Sequence, residues 1–89
     1  MEKELNIAIV HNLKNIEFFT IKITENKKDL IIARLIIEYD KIIDILKNLK
    51  KQGKIKSIFK PKNFTLTKEL KTLIRAKRLI KKNILILKQ

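Results

Sequence analysis

The chain contains a single glycine, Gly53, and it stands where one residue pattern stops and another begins. Upstream of it Tyr39, Ile42, Ile43, Leu46 and Leu49 recur at the spacing of one helix face, leaving Lys41, Asp44, Asn48 and Lys51 on the other. Asp40 is placed to accept hydrogen bonds from the free amides of a first turn and Asp44 lies near the positive end of the helix dipole. Lys47, Lys50 and Lys51 crowd the negative end. Glycine enters the left-handed conformation without the steric cost a side chain brings, so Gly53 predicts the end of this helix. Beyond it Ile55, Ser57 and Phe59 alternate with Lys54, Lys56 and Ile58, the period of a strand. Helix, glycine stop and basic strand over residues 39–59 form the unit around which the rest is arranged.

From the amino terminus, residues 3–16 put Leu5, Ala8, Ile9, Leu13 and Ile16 on one stripe, with Asn6, Asn12 and Asn15 largely outside it. This spacing predicts a helix. Residues 18–24 alternate Phe19, Ile21 and Ile23 against Thr20, Lys22 and Thr24, which predicts a strand. After a polar turn at 25–29, the β-branched apolar run 30–38 suits a second strand closing a hairpin. A helix running on from Leu30 is the competing reading, because period alone does not separate the two in so apolar a run. After Phe59 comes a turn with the only proline, Lys60-Pro61-Lys62-Asn63, and strand 54–59, turn and strand 64–67 predict a hairpin with a lysine-edged loop. Residues 68–82 fit either a helical stripe through Leu70, Leu73, Ile74 and Ile80 or short strands broken near Thr72 and Lys82. Residues 84–87 read as a short buried strand.

Eighty-nine residues suffice for one small core. The expected architecture is a single α+β domain, 1–89, in which two helices pack on a small, mostly antiparallel sheet. Residues 1–38 supply a first helix and hairpin, 39–59 the central helix and basic strand, and 60–89 a basic hairpin and tail.

The formal net charge is +13, and it is unevenly placed. Residues 1–46 hold seven Lys or Arg against eight Asp or Glu, whereas residues 47–89 hold fifteen against Glu69 alone. A surface charged in this way seeks polyanions, and nucleic acid is the expected class of partner. No apolar run is long enough to span a membrane, since Arg34 interrupts the longest, and no membrane partner is expected. Cysteine is absent, which removes disulfides and thiolate metal sites and suits a reducing compartment. The opening residues carry Glu2 and Glu4 and no arginine, unlike a signal peptide or an arginine-rich presequence. The excess of lysine over arginine and of isoleucine over leucine is the bias of an AT-rich genome.

Catalytic chemistry has little to work with. One histidine (His11), one serine (Ser57) and no cysteine assemble no nucleophile and base, and one glycine makes no phosphate-binding loop. His11 reads as a surface residue without a sequence-evident partner. Asp40 and Asp44, one turn apart, are accounted for by capping and dipole compensation. No enzymatic activity, metal, cofactor or small-molecule substrate is expected.

Several of these segments share a pattern. Tyr39-Asp40-Lys41, the run Ile43-Asp44-Ile45-Leu46-Lys47-Asn48-Leu49, and Lys51-Gln52-Gly53-Lys54-Ile55-Lys56 resemble the small-subunit ribosomal protein S-eight family, with its Tyr-Ser-Lys-like helix start, Ile-Leu-x-Ile-Leu helix and Glu-Gly-Tyr-Ile entry into a strand. Ile9-Val10-His11-Asn12-Leu13-Lys14-Asn15 is similar to the end of the family's first helix. Lys77-Arg78-Leu79-Ile80-Lys81-Lys82-Asn83 and the apolar residues after it are similar to a Lys-Arg-Ile-Ser-Lys-Pro-Gly turn and strand. The span 15–40 is longer than in the family, and Ile80, Lys82 and Asn83 stand where the family has serine, proline and glycine. The resemblance covers the family's amino-terminal domain only and implies a reduced or split form lacking the carboxy-terminal domain. It also implies strands around 64–70 and 74–80.

The resemblance implies a structural constituent of a small ribosomal subunit, in translation, with ribosomal RNA and neighbouring ribosomal proteins as partners. Its location is expected to be mitochondrial, organelle-encoded and without a presequence, with the cytoplasm as the alternative. The expected RNA-binding residues are Lys54, Lys56, Lys60, Lys62, Arg75, Lys77, Arg78, Lys81 and Lys82, on a strand, a proline turn and a basic tail. The alternative is a small regulator of a phage or low-GC bacterium, a winged-helix-like DNA binder placing 41–52 or 68–82 in a groove with 59–64 as wing.

Overall fold

A computed structural model describes residues 3–54 and 64–89, and of 64–67 only the backbone. Strands β1 (Lys3–Asn12) and β2 (Asn15–Ile23) form an antiparallel hairpin, a single 3-10 turn (Glu25–Lys27) follows, and two long helices complete the chain, α1 (Lys28–Lys51) and α2 (Phe64–Lys88). The chain is thus one α+β domain with two helices against a small antiparallel sheet, as the residue patterns predict. Several segments nevertheless take a different form from the one expected.

The helix expected over residues 3–16 is β1. In the register Leu5 faces Ile21, Ile7 faces Phe19 and Ala8 faces Phe18, and the pairing skips His11 as a bulge just before the turn. The turn is fastened by Lys14 N–H donating to Asn12 Oδ1 at 2.8 Å. Leu5 and Ile7 on one face of β1 and Ala8 and Val10 on the other are all buried. A strand covered on both faces loses the clean alternation that distinguishes it from a helix, which is why Leu5, Ala8 and Ile9 read as a helical stripe.

The strand expected at 30–38 is the first half of α1. Its buried residues Leu35, Glu38, Ile42, Leu46 and Leu49 make one continuous stripe at steps of three and four. The residues that made the segment look like a buried strand, Leu30, Ile36 and Ile37, are exposed. Asp40, expected to cap a helix start, lies in the helix interior, and Asp29 is the acidic residue of the first turn. Asp44 is likewise interior.

The end of α1 agrees with the sequence reading. Gly53 has φ +73°, its N–H donates to Lys50 O at 3.1 Å, and Lys54 N–H donates to Leu49 O at 3.0 Å. These two bonds are the paired closure of a Schellman motif with glycine in the left-handed position. A Cβ at Gly53 would meet no atom within 4 Å, so a substitution there costs conformation and no packing. Gly53→Val is therefore expected to destabilise the fold by about 1–2 kcal/mol in chemical denaturation, the worth of one side chain forced left-handed. Unchanged stability would show that the helix end tolerates another geometry.

The basic strand expected at 54–59 and the proline turn lie, beyond Lys54, outside the described residues. The strands expected at 64–67, around 64–70 and 74–80, and at 84–87 are all parts of α2. Leu70, Leu73, Ala76, Ile80, Asn83 and Leu87 form its buried stripe, so the helical alternative for 68–82 is the one adopted and it extends to Lys88. The element order that the ribosomal resemblance implies, a helix at the amino terminus and strands after residue 63, is not the order of this chain.

α1 and α2 run side by side in opposite directions. Lys28 Nζ at the start of α1 donates to Gln89 O just past the end of α2 at 3.2 Å, and midway Lys77 Nζ lies 5.9 Å from the Tyr39 ring centroid. β1 packs against both helices and presents its free edge to them. Val10 N–H donates to Glu38 Oε1 of α1 at 2.8 Å, and the Asn83 amide of α2 donates to Asn6 O. Asn6 and Val10 are four residues apart, so their backbone groups point out of the same strand edge. Among the described residues Glu38 and Asn83, 1% and 4% exposed, are the buried polar residues of the core, and both serve that edge.

Candidate nucleic-acid interface

α2 is built to present charge because its buried stripe claims one side only. Opposite that stripe, Lys71, Arg75, Arg78 and Lys82 follow one another at steps of four, three and four, all exposed. The row spans about 16 Å at the helical rise. Lys81 is exposed beside it, whereas Lys77 is half-buried on the flank that meets α1.

Arg75, Arg78, Lys81 and Lys82 lie together on the outer side of α2, on a helix and not on the expected turn. Lys77 is turned towards Tyr39, at the margin of the group. Lys54 is exposed at the end of α1, and Lys56, Lys60 and Lys62 lie outside the described residues. Lys71 was not among the expected residues. Its signal was available in the sequence, four positions before Arg75, but it is visible only once 68–82 is read as a helix.

The electrostatics of the row follow from where the carboxylates sit. Among the described residues the ion pairs are His11–Glu17, Lys28–Glu25, Arg34–Glu38 and Lys41–Glu38, all within the hairpin and α1 and its entry turn. None involves a cation of α2. Helix α2 itself contains one acidic residue, Glu69. Like charges one turn apart repel, and an uncompensated row of this kind lowers its energy by binding a polyanion.

Arg75 has a different neighbour. Its guanidinium carbon lies 5.0 Å from the centroid of Phe18 on β2, a cation–π contact that carries the basic row onto the hairpin. Arg78 is shared by two shallow surface depressions, one lined by Lys71, Ile74, Arg75 and Arg78, the other by Arg78, Lys81, Lys82, Leu85, Ile86 and Gln89. Both have apolar floors and cationic rims, suited to extended anionic ligands.

His11, expected to stand alone, has Glu17 Oε1 3.4 Å from its Nε2 across the hairpin, with both side chains about half exposed. Among the described residues no group of three or more His, Cys, Asp or Glu is gathered as metal ligands, and Asp40 and Asp44 are exposed on the outside of α1. No helix of the described residues is long and apolar enough to cross a membrane.

Compared with known proteins, the chain matches no family model, no curated protein and no solved structure.

Proposed function

We propose that this protein is a structural RNA-binding constituent of a small ribosomal subunit, mitochondrial in location, that holds ribosomal RNA through the outer side of α2. The observation that carries the RNA-binding reading is the row Lys71, Arg75, Arg78 and Lys82, without a carboxylate partner among the described residues. Phosphates supply the missing countercharge, and binding releases the counterions condensed on them. Arginine holds a phosphate through two parallel hydrogen bonds where lysine acts as a point charge, and two of the three arginines in the chain lie in this row. The ribosomal part rests on the resemblance of residues 39–56, within which α1 ends at Gly53. No catalytic role is part of the proposal.

Two measurements test it. The native protein is expected to sediment with small ribosomal subunits; recovery free of ribosomes, with tighter binding to duplex DNA than to RNA, would make it a regulator. In RNA titrations Arg75→Ala and Arg78→Ala are each expected to weaken binding roughly tenfold, the worth of one charge-assisted contact. Lys14→Ala and Lys22→Ala, in the near-neutral half, should leave affinity within about twofold, as expected of charges that make no phosphate contact. RNA protection over Lys14 and Lys22 with Arg75 and Arg78 open to solvent would overturn the assignment.

A further inference from the structure

The hairpin contributes almost no net charge, yet its outer strand brings an aromatic ring up to the basic row. Phe18 is exposed (39%), as several other large apolar side chains of this small domain are, but among the described residues it alone of them holds a guanidinium over its ring, that of Arg75. On β2 the side chains of Phe18 and Thr20 share one face, and Asn6 on β1 is paired with Thr20 on that same face. Thr20 Oγ1 lies 2.8 Å from Asn6 Oδ1, a bond that occupies the amide oxygen and leaves the Asn6 NH2 as its donating end. An aromatic ring, a planar cation and a fixed amide donor are thus adjacent along one face, continuous with a row of cations.

We propose that Phe18 and Arg75 form a stacking site for an unpaired nucleotide of RNA, with the flanking phosphates on Lys71, Arg78 and Lys82 and the Asn6–Thr20 pair beside the base edge. This deepens the RNA-binding reading above and rests on it. Duplex bases are stacked on one another and keep their faces covered, so a ring and guanidinium presented together at the surface find a complementary face only on a base that is unpaired. Every base has such a face, and the site takes single-stranded or looped RNA with little preference for sequence. Charge complementarity favours this occupant over a protein partner. A partner protein would have to bring carboxylates to Arg75 and to the cations continuous with it, whereas an RNA strand carries its phosphates at regular spacing along the row.

The test uses the full chain with two probes, a U-rich single-stranded oligoribonucleotide and a blunt RNA duplex, titrated at several salt concentrations. Phe18→Ala is expected to weaken single-strand binding about tenfold, the scale of one lost stacked base, and to leave duplex affinity and the salt dependence of both unchanged. Phe18→Tyr should keep the affinity, because it keeps the ring. Phe18→Leu should lose it while preserving apolar bulk, which separates stacking from any loss of folding. Phe19→Ala, one position along and on the opposite face, should behave as the parent. If the parent binds both probes and the Phe18 variants change neither, or both equally, the stacking site is wrong and the RNA-binding reading stands. If Phe18→Ala instead abolishes self-association in sedimentation while RNA affinity is untouched, the ring is a protein contact and the proposal falls. If the parent binds neither probe at low salt, the RNA-binding reading fails and takes the stacking site with it.

Discussion

Replacing Lys71, Arg75, Arg78 and Lys82 together with glutamine is expected to lower RNA affinity by about a thousandfold at low salt, the summed worth of four phosphate contacts at roughly 1 kcal/mol each. The dependence on salt is the sharper readout. Each neutralised phosphate contributes about 0.7–0.9 to the slope of log affinity against log salt, so the variant should lose roughly 3 units of slope. Stability should change little, because relief of like charges three and four residues apart on one helix is offset by the loss of the Arg75–Phe18 contact. A steep slope retained by the variant would place the phosphate contacts elsewhere, with the lysines around Gly53 the next candidates. The binding half cannot be tested as a separate piece. A fragment of residues 47–89 would lack Leu5, Ala8, Val10, Leu35 and Ile42, against which the stripe of α2 is buried in the common core.

Glu38→Ala is expected to cost about 2–3 kcal/mol of folding stability, most of it from leaving the buried Val10 N–H without an acceptor. In a domain this small that shifts the thermal midpoint downward by about 10 °C or more. The carboxylate is 1% exposed. Its Oε2 lies 2.9 Å from Lys41 Nζ and 3.6 Å from Arg34 Nε, an ion pair with each. Lys41 and Arg34 are each about half exposed and return to water when the carboxylate is removed, so they add little to the loss. Glu38→Gln keeps an acceptor for Val10 and should cost less, about 1 kcal/mol.

The same residue sets a pH dependence. Burial pushes the Glu38 carboxyl up, but the Lys41 ammonium, the Val10 amide and the Arg34 guanidinium together outweigh it and hold the group below its ordinary value of 4.5. A carboxyl depressed in the folded state binds its proton more readily in the unfolded chain. Its contribution is therefore complete above that ordinary value and disappears as pH falls through the lower folded value. The parent should lose stability on the acid side more steeply than Glu38→Gln in urea denaturation at stepped pH. Parallel acid limbs would mean that folding does not depress the Glu38 carboxyl, and a Glu38→Ala protein as stable as the parent would mean that water serves the β1 edge as well as the carboxylate does.

Local chemistry was enough for some parts of this fold. Gly53 ends α1 because a positive φ admits glycine and penalises side chains, wherever the helix packs. β2 follows from Phe19, Ile21 and Ile23 alternating with polar neighbours, since the face that carries Phe18, Thr20 and Lys22 is exposed and the alternation survives. The concentration of cations after residue 46 is likewise a property of the residues alone, and Arg75, Arg78, Lys81 and Lys82 could be singled out by it. Their common side could not, because it exists only on a helix, and neither could the place of Lys71 in it.

Packing decided the rest. Residues 3–12 carry Leu5, Ile7, Ala8, Ile9 and Val10 without a clean alternation and residues 30–38 are an apolar run, so in both the residue pattern does not separate helix from strand. The first becomes a strand where two helices cover its faces and Glu38 and Asn83 satisfy its free edge. The second becomes a helix because Leu35 and Glu38 then join Ile42, Leu46 and Leu49 in one buried stripe. No window of sequence reveals that a carboxylate at position 38 answers an amide at position 10, or that Arg75 comes to rest over Phe18, because both contacts join residues brought together only when the chain closes.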